Sequence, residues 1–287
     1  MPVLADWIRA ERWPLLITGL LLALLYSRNF AMLWSDWKTD ENYSHGFIVP
    51  LAFVWILWER REKLAHARIA PHFWSFAIIV FALLQLLAGT LGAENFTSHS
   101  SLLVLLCGIV LFLTGKEVFR LTAFPIAWLF FMIPLPAIVF YSITSPLQLI
   151  ASRFAVGILD LVGVPSVREG NVLYLANFTA GVAEACSGIR SLMSILAFAV
   201  LIGYLLKMSR RSRWLLAAAA VPIALLINSA RVAATGIIGN YFGAQHAEGF
   251  FHTFSGWILF LICLVLTTGV AQVLGRLDQS PATARAA

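Results

Sequence analysis

Three side chains with complementary chemistry lie at the ends of separate apolar segments of this chain. Cys186 opens one apolar run, Arg231 lies near one end of a second, and His252 opens a third. A thiolate is a strong nucleophile, an imidazole exchanges protons near neutral pH, and a guanidinium donates hydrogen bonds to an oxyanion. Acyl transfer through a thioester is the chemistry that these three groups support if they meet.

The elements that must position them are predicted to be membrane-spanning helices. The 287 residues are 60% hydrophobic and only 12% charged, whereas soluble domains carry roughly 25% charged residues. The apolar runs are continuous rather than alternating, which favours helices over a β-barrel. We therefore predict an all-α polytopic membrane bundle, a single domain over 1–287 with its core at about 40–275. About eight transmembrane helices are expected, near residues 9–28, 43–58, 73–92, 98–114, 119–136, 186–206, 214–234 and 253–274.

A further run at 137–163 contains Ser145, Pro146, Gln148 and Arg153. These residues are expected to break it, so we predict an interfacial or re-entrant helix there.

The basic residues indicate how the chain is oriented in the membrane. With the N-terminus in the cytoplasm, 14 of the 20 lysines and arginines fall inside and six outside, which fits the positive-inside rule. The net charge of +6 is therefore a topology signal and not a sign of nucleic-acid binding. Both termini are predicted to be cytoplasmic, with 276–287 as a short tail.

This topology brings the three reactive residues to one depth. Cys186 begins a helix that runs inward to Lys207, and the next helix begins at Trp214 and runs outward. Arg231 is 17 residues along that helix, roughly 25 Å, so it reaches the outer interface, and His252 precedes the last helix. If 137–163 crossed the membrane fully, Cys186 and the basic loop at 207–213 would exchange sides, against the positive-inside rule.

The neighbours of Cys186 support a reactive thiol. A cysteine at a helix N-terminus feels the positive end of the helix dipole, which lowers its pKa. Arg190 follows four residues later on the same helix face. The alternative interpretation of Cys186 is a small residue that fills a helix junction.

Arg231 and His252 also have two interpretations each. Asn228 precedes Arg231 by three residues and shares its helix face, and an ionisable residue inside a spanning helix suggests function. The alternative is an arginine that snorkels to outer headgroups. His252 is either an acid–base residue or an interfacial polar side chain.

No metal or cofactor is expected. The chain has no Cys-x-x-Cys or His-Glu-x-x-His motif, and Arg231 would repel a cation. It also has no glycine-rich phosphate loop or dinucleotide fingerprint. Cys107 and Cys263 lie inside apolar runs, where a thiol usually behaves as a small hydrophobe.

Taken in order, the polar motifs resemble those of the exosortase/archaeosortase family of membrane transpeptidases. The resemblance covers roughly residues 40–275. It rests on Tyr-Ser-His-Gly-Phe-Ile-Val-Pro at 43–50, Arg-Glu-Gly-Asn at 168–171, Glu-Ala-Cys-Ser-Gly-Ile-Arg-Ser at 184–191, Asn228 with Arg231, and His252 with Gly256 and Trp257.

The resemblance implies roles for these residues. Cys186 would be the nucleophile, Arg231 the second catalytic residue and His252 the third, and histidine rather than arginine at that position indicates the bacterial branch. The implied supporting or substrate-binding residues are Glu184, Ser187, Arg190, Asn228 and His45.

The resemblance also implies partners and a location. The partners would be proteins with a C-terminal sorting signal, which consists of a Pro-Glu-Pro motif, a transmembrane helix and a basic tail. An acceptor nucleophile that the sequence does not identify would receive the cleaved protein. The enzyme would lie among the lipids of the bacterial inner membrane of exopolysaccharide-producing cells, with its site at the periplasmic face.

A non-catalytic function is the alternative. A transporter or lipid-handling protein could use Arg231 and Asn228 to bind an anionic headgroup, whereas a structural scaffold of an exopolysaccharide export system would tolerate substitution of Cys186, Arg231 and His252. A transporter would need a polar path across the bilayer, and neither function would need Cys186.

Overall fold

The computed structural model describes residues 2–181, 189–247 and 250–278, and within these ranges it leaves out the side chains at 189–191 and 250–255. The chain forms two compact units, Met1–Pro136 and Ala137–Ala287. The expectation of one domain over 1–287 stays a prediction.

The first unit is built from short and long helices. Its α-helices are α1 (Leu4–Ala10), α2 (Arg12–Leu25), α3 (Ser27–Thr39), α4 (Ile48–Glu59), α5 (Arg61–Ala65), α6 (Phe76–Leu91), α7 (Asn95–Leu113) and α8 (Lys116–Trp128). Three 3-10 helices lie between or after them, at Glu41–Phe47, Phe73–Ser75 and Leu129–Met132.

The second unit combines long helices with a small sheet. Its helices are α9 (Ala137–Leu161), α10 (Ile189–Leu205), α11 (Arg210–Phe242), α12 (Ala244–Ala247) and α13 (Phe250–Asp278). Its strands are β1 (Ser166–Glu169), β2 (Val172–Leu175) and β3 (Thr179–Gly181).

The helices bear out a membrane protein but do not confirm a count of about eight crossings. Among the described residues, five helices are long and apolar enough to span a bilayer, and the α2–α3 pair, bent by 60°, would make six. The five are Phe73–Leu91, Asn95–Leu113, Ala137–Leu161, Arg210–Phe242 and Gly256–Asp278. The predicted runs at 43–58 and 119–136 contain helices of only 12 and 13 residues, α4 and α8. At 1.5 Å per residue these reach roughly 20 Å, short of the ~30 Å hydrocarbon core.

The predicted break in the run at 137–163 is wrong. Helix α9 is continuous for 25 residues and carries Pro146 inside it. A proline removes one backbone hydrogen bond, and a membrane helix tolerates this when neighbouring groups satisfy the freed carbonyl. Length and composition make α9 a candidate span, so the interfacial placement of this segment stays a prediction.

The three-stranded sheet was not anticipated by the all-α prediction. β1 and β2 are antiparallel, with Val167 opposite Tyr174, and β3 pairs with the other edge of β2. Leu173 and Leu175 are buried while Tyr174 between them is exposed, which is the period-two pattern of a half-buried strand.

The Tyr43–Pro50 motif binds the segment that follows α8. The Tyr43 hydroxyl accepts a hydrogen bond from the backbone N–H of Leu135 at 3.1 Å. Nε2 of His45 lies 3.0 Å from the carbonyl oxygen of Phe131. Both side chains therefore bind backbone groups of the residues that lead into the prolines at 134 and 136.

Gly46 of the same motif lies directly under an indole ring. A methyl group built on its Cα would come within 2.3 Å of Nε1 of Trp37. That Nε1 donates a hydrogen bond to the carbonyl oxygen of Met132 at 2.9 Å. The absence of a side chain at Gly46 thus lets Trp37 reach the same segment that Tyr43 and His45 hold.

Gly46→Ala is expected to destabilise the first unit by about 1–3 kcal/mol, because the methyl must displace the Trp37 ring. Gly19→Ala is the matched control, since Gly19 in α2 has no atom within 4 Å of such a methyl. Alanine there should be neutral or stabilise by up to about 1 kcal/mol. Thermal unfolding of the purified variants in detergent measures both, and equal melting temperatures would contradict the packing role of Gly46.

Candidate active site

Helix α11 is the element on which the candidate site is built. Ser209 precedes the helix, and its Oγ accepts a hydrogen bond from the backbone N–H of Ser212 at 3.2 Å, which caps the N-terminus. The helix then continues for 33 residues. Its buried positions are mostly small and include Ala220, Ala224, Ser229, Gly236 and Gly239. Small residues let neighbouring backbones approach a membrane helix closely.

Asn228 faces a narrow crevice bordered by three helices. Its side chain is only 6% exposed. The crevice is lined by Thr144 and Gln148 of α9, by Leu192 of α10, and by Asn228 with its apolar neighbours on α11. Its volume of about 20 Å³ has room for one water molecule. Asn228, Thr144 and Gln148 are thus the polar residues of a crevice whose other lining residues are apolar.

Arg231 packs against the start of α13. A methyl group built on Gly256 would lie 3.4 Å from Nη2 and 3.6 Å from Cζ of Arg231. The half-buried guanidinium is therefore seated against the backbone of α13 at Gly256. Two of the motifs identified in the sequence, Asn228 with Arg231 and the segment containing Gly256, are brought together in this way.

The opposite ends of α11 and α13 are also joined. Asp278, in the last turn of α13, accepts hydrogen bonds from the backbone N–H of Ser209 at 2.8 Å and from the Ser212 hydroxyl at 2.7 Å. The two helices therefore run antiparallel, with Arg231 on Gly256 at one end and this carboxylate on the α11 cap at the other.

The sheet packs on α11 beyond Arg231. Phe178, in the turn between β2 and β3, lies against Gly239, where a methyl group would come within 2.4 Å of its Cγ. The backbone N–H of Asn177 donates to Oδ1 of Asn240 at 3.0 Å, and its side-chain amide donates to the carbonyl oxygen of Asn240 at 3.3 Å. The strand that leads towards Cys186 is thus attached to the helix that carries Arg231.

The predicted nucleophile lies outside the described residues. Cys186, Glu184 and Ser187 belong to the segment 182–188, and of Arg190 only the backbone, in the first turn of α10, is described. Their predicted roles stay predictions. The segment is flanked by Gly181 at the end of β3 and by Ile189 at the start of α10, and both of these elements pack on α11.

His252 lies within α13, but its side chain is outside the described part of the chain. The backbone of His252 lies four residues, about one turn, before Gly256 in this helix.

His45 has a structural environment in the first unit. Its ring contacts the carbonyl oxygen of Phe131, and its predicted part in substrate binding stays a prediction.

The sheet on α11 is the feature that the sequence analysis missed. Its signal was present, since Gly170 and Asn171 form a two-residue connection typical of β-hairpins, followed by the alternating Val-Leu-Tyr-Leu of β2.

Among the described residues, no group of three or more His, Cys, Asp and Glu side chains could hold a metal ion. Cys107 is half-buried in α7 and Cys263 is buried in α13, as expected for cysteines that act as small hydrophobic residues.

Comparison with known proteins identifies the family. The model of the family described as transmembrane exosortase (Exosortase_EpsH) matches residues 37–269. No curated protein matches the chain, and no solved structure does. The match extends from α3 to the second half of α13 and includes the helices that carry Asn228, Arg231 and Gly256. The chain therefore belongs to the transmembrane exosortase family.

Proposed function

We propose that this exosortase is a membrane cysteine protease and transpeptidase that cleaves C-terminal sorting signals through a thioester on Cys186. The observation that carries the proposal is the contact of Arg231 with Gly256, because it joins two family motifs that lie 25 residues apart in the sequence. The cysteine segment supplies the third motif.

The chain on both sides of Cys186 supports its approach to Arg231. β3 precedes the segment and is attached to α11 through Gly239 and Asn240. α10 follows it, and Leu192 near its start shares a crevice with Asn228. The described residues before the cysteine segment therefore pack on α11 beyond Arg231, and those after it pack on α11 before Arg231.

The proposed reaction begins when the neutral imidazole of His252 takes the proton of the Cys186 thiol, and the resulting thiolate attacks a peptide carbonyl. A carbon–sulfur bond forms, and the tetrahedral oxyanion accepts hydrogen bonds from the Arg231 guanidinium. The carbon–nitrogen bond then breaks, and the amine leaves with a proton from the imidazolium of His252. An acceptor amine, hydroxyl or water then gives a proton to His252 and attacks the thioester. The carbon–sulfur bond breaks, and the Cys186 thiolate takes that proton back from His252 to become the thiol.

The substrates in this proposal are exported proteins that end in a short motif, a transmembrane helix and a basic tail. The helix holds the substrate in the same bilayer as the enzyme, so the scissile bond and Cys186 meet at one depth. We place the site at the periplasmic face of the inner membrane. Four basic residues support this orientation, because basic residues favour the cytoplasmic side. They lie at or just before the start of α11, whereas Arg231 lies in its second half. They are Lys207, Arg210, Arg211 and Arg213.

Cys186→Ala is expected to leave a co-expressed signal-bearing protein uncleaved while the enzyme remains inserted in the membrane. The measurement is mass spectrometry of the substrate's C-terminus, where a covalent adduct indicates transfer and a free carboxylate indicates hydrolysis. Cys107→Ala is the matched control, because that thiol lies in α7 of the first unit, and it should process normally. Normal processing by Cys186→Ala would remove the nucleophile assignment and favour a transporter or scaffold.

The same variant tests on which side of the membrane Cys186 lies. A membrane-impermeant maleimide added to spheroplasts is expected to label the wild-type enzyme and not Cys186→Ala. Labelling that requires opened vesicles would place Cys186 in the cytoplasm.

Arg231→Lys is expected to lower the processing rate on the order of 100-fold, because oxyanion donors contribute about 10²–10³ in rate. Lysine keeps the charge but loses the planar fork that lies against Gly256. Arg211→Lys, exposed at the start of the same helix, is the control and should retain the wild-type rate. Equal rates for the two variants would indicate that Arg231 only anchors the helix in headgroups.

The pH dependence of processing tests His252. An unperturbed imidazole has a pKa of about 6.5, so a rate that depends on imidazole as the base should rise between pH 5 and pH 7. His252→Ala should be slow and lack this rise. A flat profile in the wild-type enzyme, together with an active His252→Ala variant, would contradict an acid–base role.

A further inference from the structure

The contact between Phe178 and Gly239 is the tightest attachment of the sheet to α11. A methyl group built on Gly239 would lie 2.4, 2.5 and 2.7 Å from Cγ, Cδ1 and Cδ2 of the Phe178 ring. These separations are shorter than any carbon contact allows. The nearest atom is Cγ, the ring atom closest to the backbone, so a rotation of the ring cannot clear the space. A flip about χ2 leaves Cγ in place, so a side chain at Gly239 must displace the whole Phe178 ring or move the β2–β3 turn away from α11.

Two polar contacts hold the same junction. The backbone N–H of Asn177 donates to the side-chain Oδ1 of Asn240 at 3.0 Å. The Asn177 side-chain amide donates to the backbone carbonyl of Asn240 at 3.3 Å. Phe178 is 9% exposed, so an apolar contact and two hydrogen bonds fix one turn of the sheet to one turn of the helix.

The position of this junction relates it to the proposed chemistry. Gly239 follows Arg231 by eight residues, roughly 12 Å along the helix axis. On the sheet side, β3 begins at Thr179 directly after Phe178 and ends at Gly181, five residues before Cys186. Any shift of the turn relative to α11 is therefore passed, through a strand of three residues, to the chain that leads into the cysteine segment.

We propose that Phe178, Gly239 and Asn240 are positioning residues that set the placement of the Cys186 segment relative to Arg231. This inference rests on the proposed function, because it requires Cys186 and Arg231 to act on the same peptide bond. The three residues touch no substrate in this proposal. They act by holding the start of β3 in one place on α11.

Gly239→Ala is the main test, with Gly236→Ala as the matched control. Gly236 lies one turn earlier on α11 and also faces the sheet, but a methyl there meets Leu175 at 3.5 Å, an ordinary contact. Misplacement of a reacting group by about 1 Å can cost on the order of 100-fold in rate. We expect Gly239→Ala to lose turnover on that scale, at unchanged KM and per folded molecule, and Gly236→Ala to retain it.

Gly239→Ala combined with Phe178→Ala distinguishes an effect of the contact between these two residues from a general destabilisation of α11. Without the ring, the methyl on Gly239 has nothing to displace. The second substitution should then change turnover by less than about twofold, since the effects of two contacting residues are not additive.

Asn240 supplies a milder test in case Gly239→Ala does not fold. Asn240→Ala removes the acceptor for the Asn177 N–H and should lower turnover several-fold. Asn240→Asp keeps an acceptor oxygen at this position and should restore it.

Turnover and melting temperature measured on the same samples decide the outcome. A lower melting temperature with unchanged turnover per folded molecule would mean that the junction only stabilises the fold and would overturn the proposal. Equal losses in Gly239→Ala and Gly236→Ala, or in Asn240→Ala and Asn240→Asp, would overturn it as well. Cys186→Ala distinguishes failure of the positioning role from failure of the proposed function. If Cys186→Ala is inactive while Gly239→Ala and Asn240→Ala are fully active, only the positioning role fails. If Cys186→Ala is active, both proposals fail.

Discussion

Close approach of other backbones to α11 is the constraint on which the second unit depends. Lipid tails are as apolar as the side chains they contact, so helices in a bilayer associate through packing and not through exclusion of water. The buried face of α11 is composed mainly of Ala, Gly and Ser, which lets α9, α10, α13 and the sheet come near. The sheet, α10 and α13 carry or flank motifs identified in the sequence, and α11 is the element they share.

The length of α11 explains why a sheet can belong to a membrane domain. At 33 residues the helix is roughly 50 Å long, well beyond the ~30 Å hydrocarbon core. A bilayer cannot cover all of it, and open strand edges do not occur against lipid. The sheet packs on the last two turns of α11, around Gly236 and Gly239. This arrangement gives β1 and β3 a location where their edges need not face hydrocarbon.

Several parts of this structure could be predicted from the sequence, because they follow from local rules. The apolar runs at 73–92 and 98–114 correspond to α6 and α7, and the spacing of Asn228 and Arg231 places them on one face of α11. The composition of a run does not show where its helix ends. The runs at 43–58 and 119–136 are mostly apolar, yet they hold short helices and 3-10 turns.

The contacts that depend on tertiary structure were beyond local rules. Gly46 belongs to a recognisable motif, but only the structure shows that its missing side chain accommodates Trp37, nine residues earlier. Likewise, Gly239 is one of several glycines in a long apolar helix, and nothing near it in the sequence indicates that Phe178 will occupy its surface. The predicted nucleophile and the side chain of His252 fall outside the described residues.

The carboxylate of Asp278 governs the axial register of two helices over a long distance. It bonds both the backbone and a side chain at the α11 cap, about 21 residues or roughly 32 Å from Arg231. If α13 slid by one turn, about 5.4 Å, Gly256 would leave the guanidinium and a bulkier residue would take its place. A single acidic residue near the proposed cytoplasmic end of these helices thus limits how far they can slide, and a change in its charge state is coupled to the alignment of Arg231 with Gly256.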